Sequence, residues 1–106
     1  VLDMPAKEKM VEELYEAFLA LRSPEEAKRF LRDLMTEEEV LECARRFWAA
    51  RQLDQGVSYQ LIQEQTGLSS TTVARISRWL KRGKDGYRLI IDRLHHTSLS
   101  REKRST

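Results

Sequence analysis

A glycine between two helical patterns limits the folds open to this chain more than any other residue. Gly67 ends one pattern, and a second begins a few residues later. Glycine adopts the left-handed backbone of a tight turn at little cost. Leu68 can fill the angle between the two helices, and the hydroxyl of Ser69 or Ser70 can cap the second one. Residues 58–80 are therefore predicted to form a helix-turn-helix.

The second helix of this motif has two different faces. Its apolar residues recur every three or four positions, so they share one buried face. They are Val73, Ile76 and Leu80. The opposite face carries short polar side chains at its start, Ser70 and Thr71, followed by Arg75 and Arg78. Such a face suits a helix that enters a DNA major groove by its N-terminal end.

Charge is distributed unevenly along the chain. The net charge is +2, but residues 1–74 carry −5 and residues 75–106 carry +7. Basic charge therefore begins within the second motif helix and continues beyond it. Cations placed there would meet DNA phosphates, which supply much of the affinity for DNA. The alternative is an ordinary solvated, charged C-terminal tail.

Length and composition indicate one globular domain. The chain has 106 residues, of which 41% are hydrophobic and 34% are charged, as in folded domains of this size. We predict a single helical DNA-binding domain over residues 1–96 and a polar, basic tail over residues 97–106. Cys43 is the one cysteine and is predicted to be a buried thiol. Because no internal disulfide can form, a reducing cytoplasm is expected.

Neither a membrane segment nor a catalytic centre is predicted. No apolar run approaches the ~18 residues that span a bilayer, and no secretory signal pattern opens the chain. His95 and His96 are adjacent, so on a helix they point about 100° apart and do not form a metal pair. The acidic run 37–39 is better explained as a helix N-terminus. We therefore expect no enzyme activity, no metal and no membrane partner.

Helix punctuation predicts an all-α fold of about six helices. Pro5, after Asp3 or Met4, suits the first turn of a helix. Ser23-Pro24 marks a second start, and the box formed by Thr36 and Glu39 marks a third. The third helix is expected to run to about residue 54. The remaining predicted helices are 59–66, 70–82 and about 87–95.

The third helix is apolar on more than one side. Leu41, Phe47 and Trp48 do not fit one narrow stripe, and such a helix is packed from several directions. In so short a chain, a partner subunit is expected to supply part of that packing, with the N-terminal helix as a second contact. A homodimer would also hold two recognition helices roughly 34 Å apart, one duplex turn. A monomeric helical core is the alternative.

In the order of its motifs the chain resembles the Trp repressor superfamily, and most closely its YerC/YecD-type branch. The motifs are Leu34-Met35-Thr36 before an acidic helix start, Arg45-Arg46 in a long helix, Gly56, Ser58-Tyr59-Gln60 and the turn motif. The resemblance covers roughly residues 10–95. It implies an all-α, intertwined homodimer that binds operator DNA through a helix-turn-helix.

The resemblance also implies a site for the co-repressor L-tryptophan. The family's contacts correspond here to Thr36, Arg46 and, if one residue is deleted before the turn motif, Arg75. The glycine that follows this last arginine in the Trp repressor is Ile76 here, and its side chain would fill space or join the core. No cofactor is therefore required, and neither L-tryptophan nor another small effector is the favoured prediction. Arg46 and Arg75 could instead hold another anion or pair with acidic residues.

The function that these features predict is that of a sequence-specific transcriptional regulator, a repressor, with double-stranded DNA and a second copy as partners. The residues predicted to contact DNA are Tyr59, Gln60, Ser69, Ser70, Thr71, Thr72, Arg75, Arg78, Lys81, Arg82 and Lys84. The alternative is a helical protein-interaction module that kept the repressor fold without binding an operator. The polar exposed face of residues 69–82 favours DNA, and Trp79 is the ambiguous residue in it.

Overall fold

The protein is all-α in the computed structural model, which describes the backbone of residues 6–105 and the side chains of residues 6–97. Within this range there are six helices and no strand. They are α1 (Lys7–Leu19), α2 (Pro24–Leu34), α3 (Glu37–Asp54), α4 (Tyr59–Thr66), α5 (Ser70–Arg82) and α6 (Gly86–Ser105). The predicted all-α fold class is confirmed. The predicted helix start at Asp3–Pro5 lies outside the described residues.

The starts of α2 and α3 are made by the predicted caps. The hydroxyl of Ser23 accepts a hydrogen bond from the N–H of Glu26 at 3.1 Å, with Pro24 next in the chain. At α3 the bonds are reciprocal: Thr36 Oγ1 accepts from the Glu39 N–H at 3.1 Å, and Glu39 Oε1 accepts from the Thr36 N–H at 2.9 Å. Hydrogen bonds from the backbone and the hydroxyl of Thr36 lower the pKa of Glu39 because they stabilise the carboxylate.

The chain divides into two compact units between Val40 and Leu41. In the first unit, α1 and α2 contain no fully buried residue. Its aromatic contact joins Phe18 to Phe30, with ring centroids 5.6 Å apart in an edge-to-face arrangement. This unit therefore leaves much of its apolar surface uncovered in the single chain.

The second unit holds the buried core. Every helix of the unit contributes to the core, together with one residue of the turn: Ala49 and Ala50, Ile62, Leu68, Val73, Ile76, Leu80 and Ile91. Partly buried Phe47, Leu53, Val57 and Tyr87 pack around it. The motif helices are thereby held against α3 and α6, as the apolar spacing of α5 predicts.

Two sequence predictions were wrong. The last helix does not end near residue 95: α6 continues to Ser105 through most of the stretch predicted as a tail. No Gly or Pro follows Gly86, so nothing in the sequence interrupts the helix. Cys43 is exposed rather than buried in the single chain. It shares a face of α3 with Ala50 but lies two turns earlier, before the part of α3 that the core covers.

Among the helices of the described range, none combines the length and the apolar character that crossing a membrane requires.

Candidate nucleic-acid interface

The turn between α4 and α5 is built on one left-handed glycine. Gly67 has φ 75° and ψ 4°, and its N–H bonds to the carbonyl of Gln63. A Cβ at this position would meet no atom within 4 Å, so the requirement for glycine is conformational and not steric. Leu68, the next residue, is buried at 8% exposure. The predicted helix-turn-helix is therefore present, with its apolar plug in place.

A buried hydroxyl that sequence reasoning missed braces this turn. Thr66 Oγ1 donates to the carbonyl of Ile62 at 2.7 Å and accepts from the N–H of Leu68 at 3.1 Å. The side chain thus bonds both to the helix before the glycine and to the residue after it. A threonine directly before a turn glycine was the available signal, because short hydroxyl side chains bond to nearby backbone groups.

Ser69, and not Ser70, caps the recognition helix α5. Its hydroxyl accepts from the Thr72 N–H at 3.1 Å and donates to Thr72 Oγ1 at 3.0 Å. Ser70 is then the first residue of the helix. The hydroxyls of Ser69 and Thr72 therefore bond to each other, while Ser70 and Thr71 remain exposed at the helix start.

The two faces of α5 are separated as the sequence predicts. Val73, Ile76, Ser77 and Leu80 are buried. The predicted DNA-contacting residues beyond the first turn of α5 are exposed: Arg75, Arg78, Lys81, Arg82 and Lys84. Tyr59 and Gln60 are exposed in the first turn of α4, where Ser58 accepts a hydrogen bond from the Leu61 N–H at 3.2 Å.

The basic residues of α5 and the following turn are not neutralised within the described part of the chain. The ion pairs among residues 6–97 use the guanidinium groups of Arg45, Arg46 and Arg88. None of them involves the basic side chains of residues 75–84. This segment therefore presents positive charge that is free to meet an anionic partner.

A cavity of about 740 Å³ lies between α3, α5 and α6, within the second unit. Its walls come from α3, α5, α6 and the turn before α6: Arg46, Phe47, Thr72, Arg75, Ile76, Trp79, Lys84, Gly86, Tyr87 and Ile90. The structure thus brings Arg46 and Arg75 to one cavity. Ile76 does join the core, at 4% exposure, and also forms part of the cavity wall.

The third predicted effector contact is placed differently. Thr36 belongs to the other compact unit, and its hydroxyl caps α3. Arg46 donates from Nε to Glu42 Oε1 at 3.2 Å, so part of its charge is already compensated.

In the cavity wall, burial raises the pKa of Tyr87, and the neighbouring charge of Arg46 acts in the opposite direction. Sequence reasoning missed Phe47 and Tyr87 here, because they lie on helices far apart in the chain.

The chain is a small all-α protein with a helix-turn-helix. The family model for the Trp repressor protein matches residues 9–95, and the chain belongs to this family of DNA-binding regulators. Uncharacterized protein YerC of Bacillus subtilis (strain 168) is 37% identical over 89 residues, which cover 84% of this chain and 86% of that protein.

Two solved structures share the fold. One is a TrpR-like protein from Eubacterium eligens ATCC 27750, with a TM-score of 0.79 and 38% identity over 84% of this chain and 92% of that one. The other, from Staphylococcus aureus, is provisionally described as a Trp repressor. It has a TM-score of 0.76 and 33% identity over 87% of this chain and 96% of that one. The predicted superfamily is therefore confirmed.

Proposed function

We propose that this protein is a cytoplasmic, sequence-specific DNA-binding regulator that represses transcription as a homodimer. The observation that carries the proposal is the division of α5. Its apolar face is buried, while Ser70, Thr71, Arg75 and Arg78 are exposed along the other side. A recognition helix needs this arrangement, since one face must anchor it and the other must reach base edges.

The proposed contacts fall into two groups. Ser69, Ser70, Thr71, Thr72 and Arg75, at the N-terminal end of α5, reach base edges and nearby phosphates. The phosphate backbone is bound by the basic residues further on, together with the start of α4. These are Arg78, Lys81, Arg82, Lys84, Tyr59 and Gln60. Because Ser69 and Thr72 already bond to each other, Arg75 is the residue of the first group to which we assign most of the base discrimination.

Exposed apolar residues of α1 support the homodimer. Met10, Val11, Tyr15 and Phe18 are exposed to between 37% and 61%, and Leu19 to 85%. A contiguous apolar surface on a small protein usually marks an interaction site, and a second copy would cover it in a closed, two-fold assembly. Sedimentation equilibrium tests this directly: a mass of one chain at micromolar concentration would remove the dimer from the proposal.

The proposed regulator requires no effector, and the cavity between α3, α5 and α6 suits a small anion better than L-tryptophan. Arg75 and Lys84 supply cations at its wall, and the rings of Phe47, Trp79 and Tyr87 supply apolar surface. Ile76 stands where the Trp repressor has glycine, so L-tryptophan itself is not the favoured ligand. The protein-interaction alternative is disfavoured because the exposed face of α5, apart from Trp79, is polar and basic.

The experiment that tests the function is selection of bound fragments from a random DNA library at physiological salt, with and without L-tryptophan. A two-fold symmetric enriched sequence is expected, with no requirement for L-tryptophan. Enrichment that depends on L-tryptophan would show that Ile76 does not close the site to indole. Weak, salt-sensitive binding without enrichment would refute the operator-binding function and favour the interaction module.

A further inference from the structure

We propose that Trp79 contacts the sugar–phosphate backbone of bound DNA, in an outer groove that it forms with basic residues at the end of α5. The groove measures about 420 Å³ and is lined by Arg78, Trp79, Arg82, Gly83 and Lys84. This inference rests on the proposed DNA binding and adds to it a neutral, aromatic contact that the sequence left unassigned.

About half of the Trp79 surface is open to solvent, although α5 packs in the core. Trp79 is 53% exposed, whereas its neighbour Leu80 is only 8% exposed. Tryptophan carries a large apolar surface and one N–H donor, so it is enriched where one side is apolar and the other is wet or polar. The open part of the indole is still in contact with water. A partner that covers it would gain the free energy of burying that apolar area.

The charge around the indole identifies the chemistry of the partner. Arg78 and Arg82 lie one turn apart on α5 and so share a face, while Lys84 follows in the turn. None of these cations forms an ion pair among the described side chains. They also offset the partial negative charge of the α5 C-terminus, which would otherwise repel an anion. The groove therefore fits a polyanion that also offers apolar surface.

The backbone of duplex DNA meets both requirements, because each phosphate is followed by an apolar deoxyribose face. The position in the helix agrees with this choice. A recognition helix that reads bases with its N-terminal residues carries its C-terminal end out of the major groove, along the backbone. Trp79 lies one turn beyond Arg75, in the C-terminal part of α5.

The chain offers its own control for the test, because it contains only two tryptophans, Trp48 and Trp79. Trp48 lies on α3, is 48% exposed, and donates a hydrogen bond to Gln65 Oε1 at 3.2 Å. The variant Trp48→Phe leaves Trp79 as the only indole, and Trp79→Phe leaves Trp48. Two nearly equally exposed indoles can therefore be compared in otherwise matched proteins.

The probe is a mixed-sequence duplex of roughly 30 base pairs, about three turns, at low salt. No operator is needed, because backbone contacts do not depend on sequence. Binding is followed by anisotropy of labelled DNA, and indole accessibility by acrylamide quenching. We expect the duplex to protect Trp79 in Trp48→Phe and to leave Trp48 accessible in Trp79→Phe. Protection of both indoles or of neither would overturn the assignment.

Affinity provides a second readout. Trp79→Ala should weaken duplex binding about fivefold without changing the slope of log affinity against log salt, because the lost group is uncharged. Arg82→Ala should instead make that negative slope shallower by about 0.9, the value for one phosphate contact. Circular dichroism establishes that each variant is folded. The quenching result in Trp48→Phe stands even if Trp79→Ala does not fold.

The outcomes separate this inference from the proposed function. If labelled duplex does not bind at all, the function fails. If it binds while Trp79 stays accessible and Trp79→Ala binds equally well, only the inference fails. Protection by a single strand but not by the duplex would indicate base stacking and refute the backbone contact. Protection that grows with protein concentration without DNA would assign Trp79 to the contact between copies instead.

Discussion

The guanidinium of Arg88 donates from Nη2 to Asp54 Oδ1 at 2.6 Å and from Nη1 to Asp92 Oδ1 at 3.0 Å. The first bond joins the start of α6 to the last residue of α3, 34 positions apart in sequence. Both carboxylates raise the pKa of Arg88 because they stabilise its charged form. The Arg88–Asp54 ion pair therefore holds α6 against α3, the helix that carries Arg46 and Phe47 in the cavity wall.

Asp54→Asn should destabilise the protein modestly. The Arg88 and Asp54 side chains are 40% and 29% exposed, and a partly exposed ion pair contributes about 0.2–1 kcal/mol. Urea denaturation should show a loss in this range, and the loss should shrink at high salt. Asp92→Asn is the matched control, because it breaks only a bond within α6. If the two variants lose the same stability, the bond between helices has no special role.

Gly83→Ala should destabilise the protein by about 1–3 kcal/mol. The N–H of Gly83 caps α5 by bonding to the carbonyl of Trp79 at 2.8 Å, and a Cβ at Gly83 would overlap that carbonyl oxygen. Backbone must then shift at the end of the recognition helix. Thermal unfolding followed by circular dichroism measures the cost.

Gly86→Ala is the control for this steric effect. A Cβ at Gly86 meets nothing within 4 Å and its φ is not left-handed, so the change should be neutral or stabilise by up to about 1 kcal/mol. If Gly83→Ala and Gly86→Ala lose the same stability, the close contact between a Cβ at Gly83 and the Trp79 carbonyl is not the cause of the destabilisation.

Glu39→Gln should remove an acid-sensitive part of the stability. The folded pKa of Glu39 lies below its ordinary value of about 4.3. Its carboxylate therefore stabilises the fold above about pH 4.3, and this contribution is lost as the pH falls through the folded pKa. Glu39→Gln should thus be less stable than the parent protein at neutral pH, and the difference should vanish in acid.

Melting temperatures of the two proteins between neutral and acidic pH check this expectation. Glu38→Gln removes a charge from the same helical turn without removing a capping bond to Thr36. Its difference from the parent protein should therefore be smaller at neutral pH. A pH-independent difference for Glu39→Gln would contradict the capping role of the charged form.

Arg75→Ala should relax sequence discrimination by ~1–3 kcal/mol if Arg75 reads a base edge in the major groove. The measurement is the ratio of affinities for selected and scrambled duplexes. Arg93→Ala is the control, since Arg93 is an exposed arginine on α6 outside the motif. Lys84→Ala should weaken both duplexes alike. An equal loss on both duplexes for Arg75→Ala would refute its base-reading role.

The parts of the fold that depend on near neighbours were predictable. The caps at Ser23 and Thr36 bond to residues three positions away, and Gly67 meets a local need for a left-handed turn. The buried face of α5 follows from spacing, because residues three and four apart share a side of any helix. Local signals placed the starts of α2, α3, α4, α5 and α6 to within one residue, but they did not place the end of α6. The start of α1 is the one that could not be compared.

Local interactions along the chain thus set the starts of α2 to α6, the turn and the polar and apolar faces of α5, since these depend on groups within a few residues of one another. Packing between distant parts of the chain was needed to bring Arg46 and Arg75 to one cavity, to open Trp79 onto a basic groove and to leave Cys43 exposed. These properties depend on how much of each helix surface is buried by the neighbouring helices. Local spacing does not specify this buried area, because residues far apart in the chain set it.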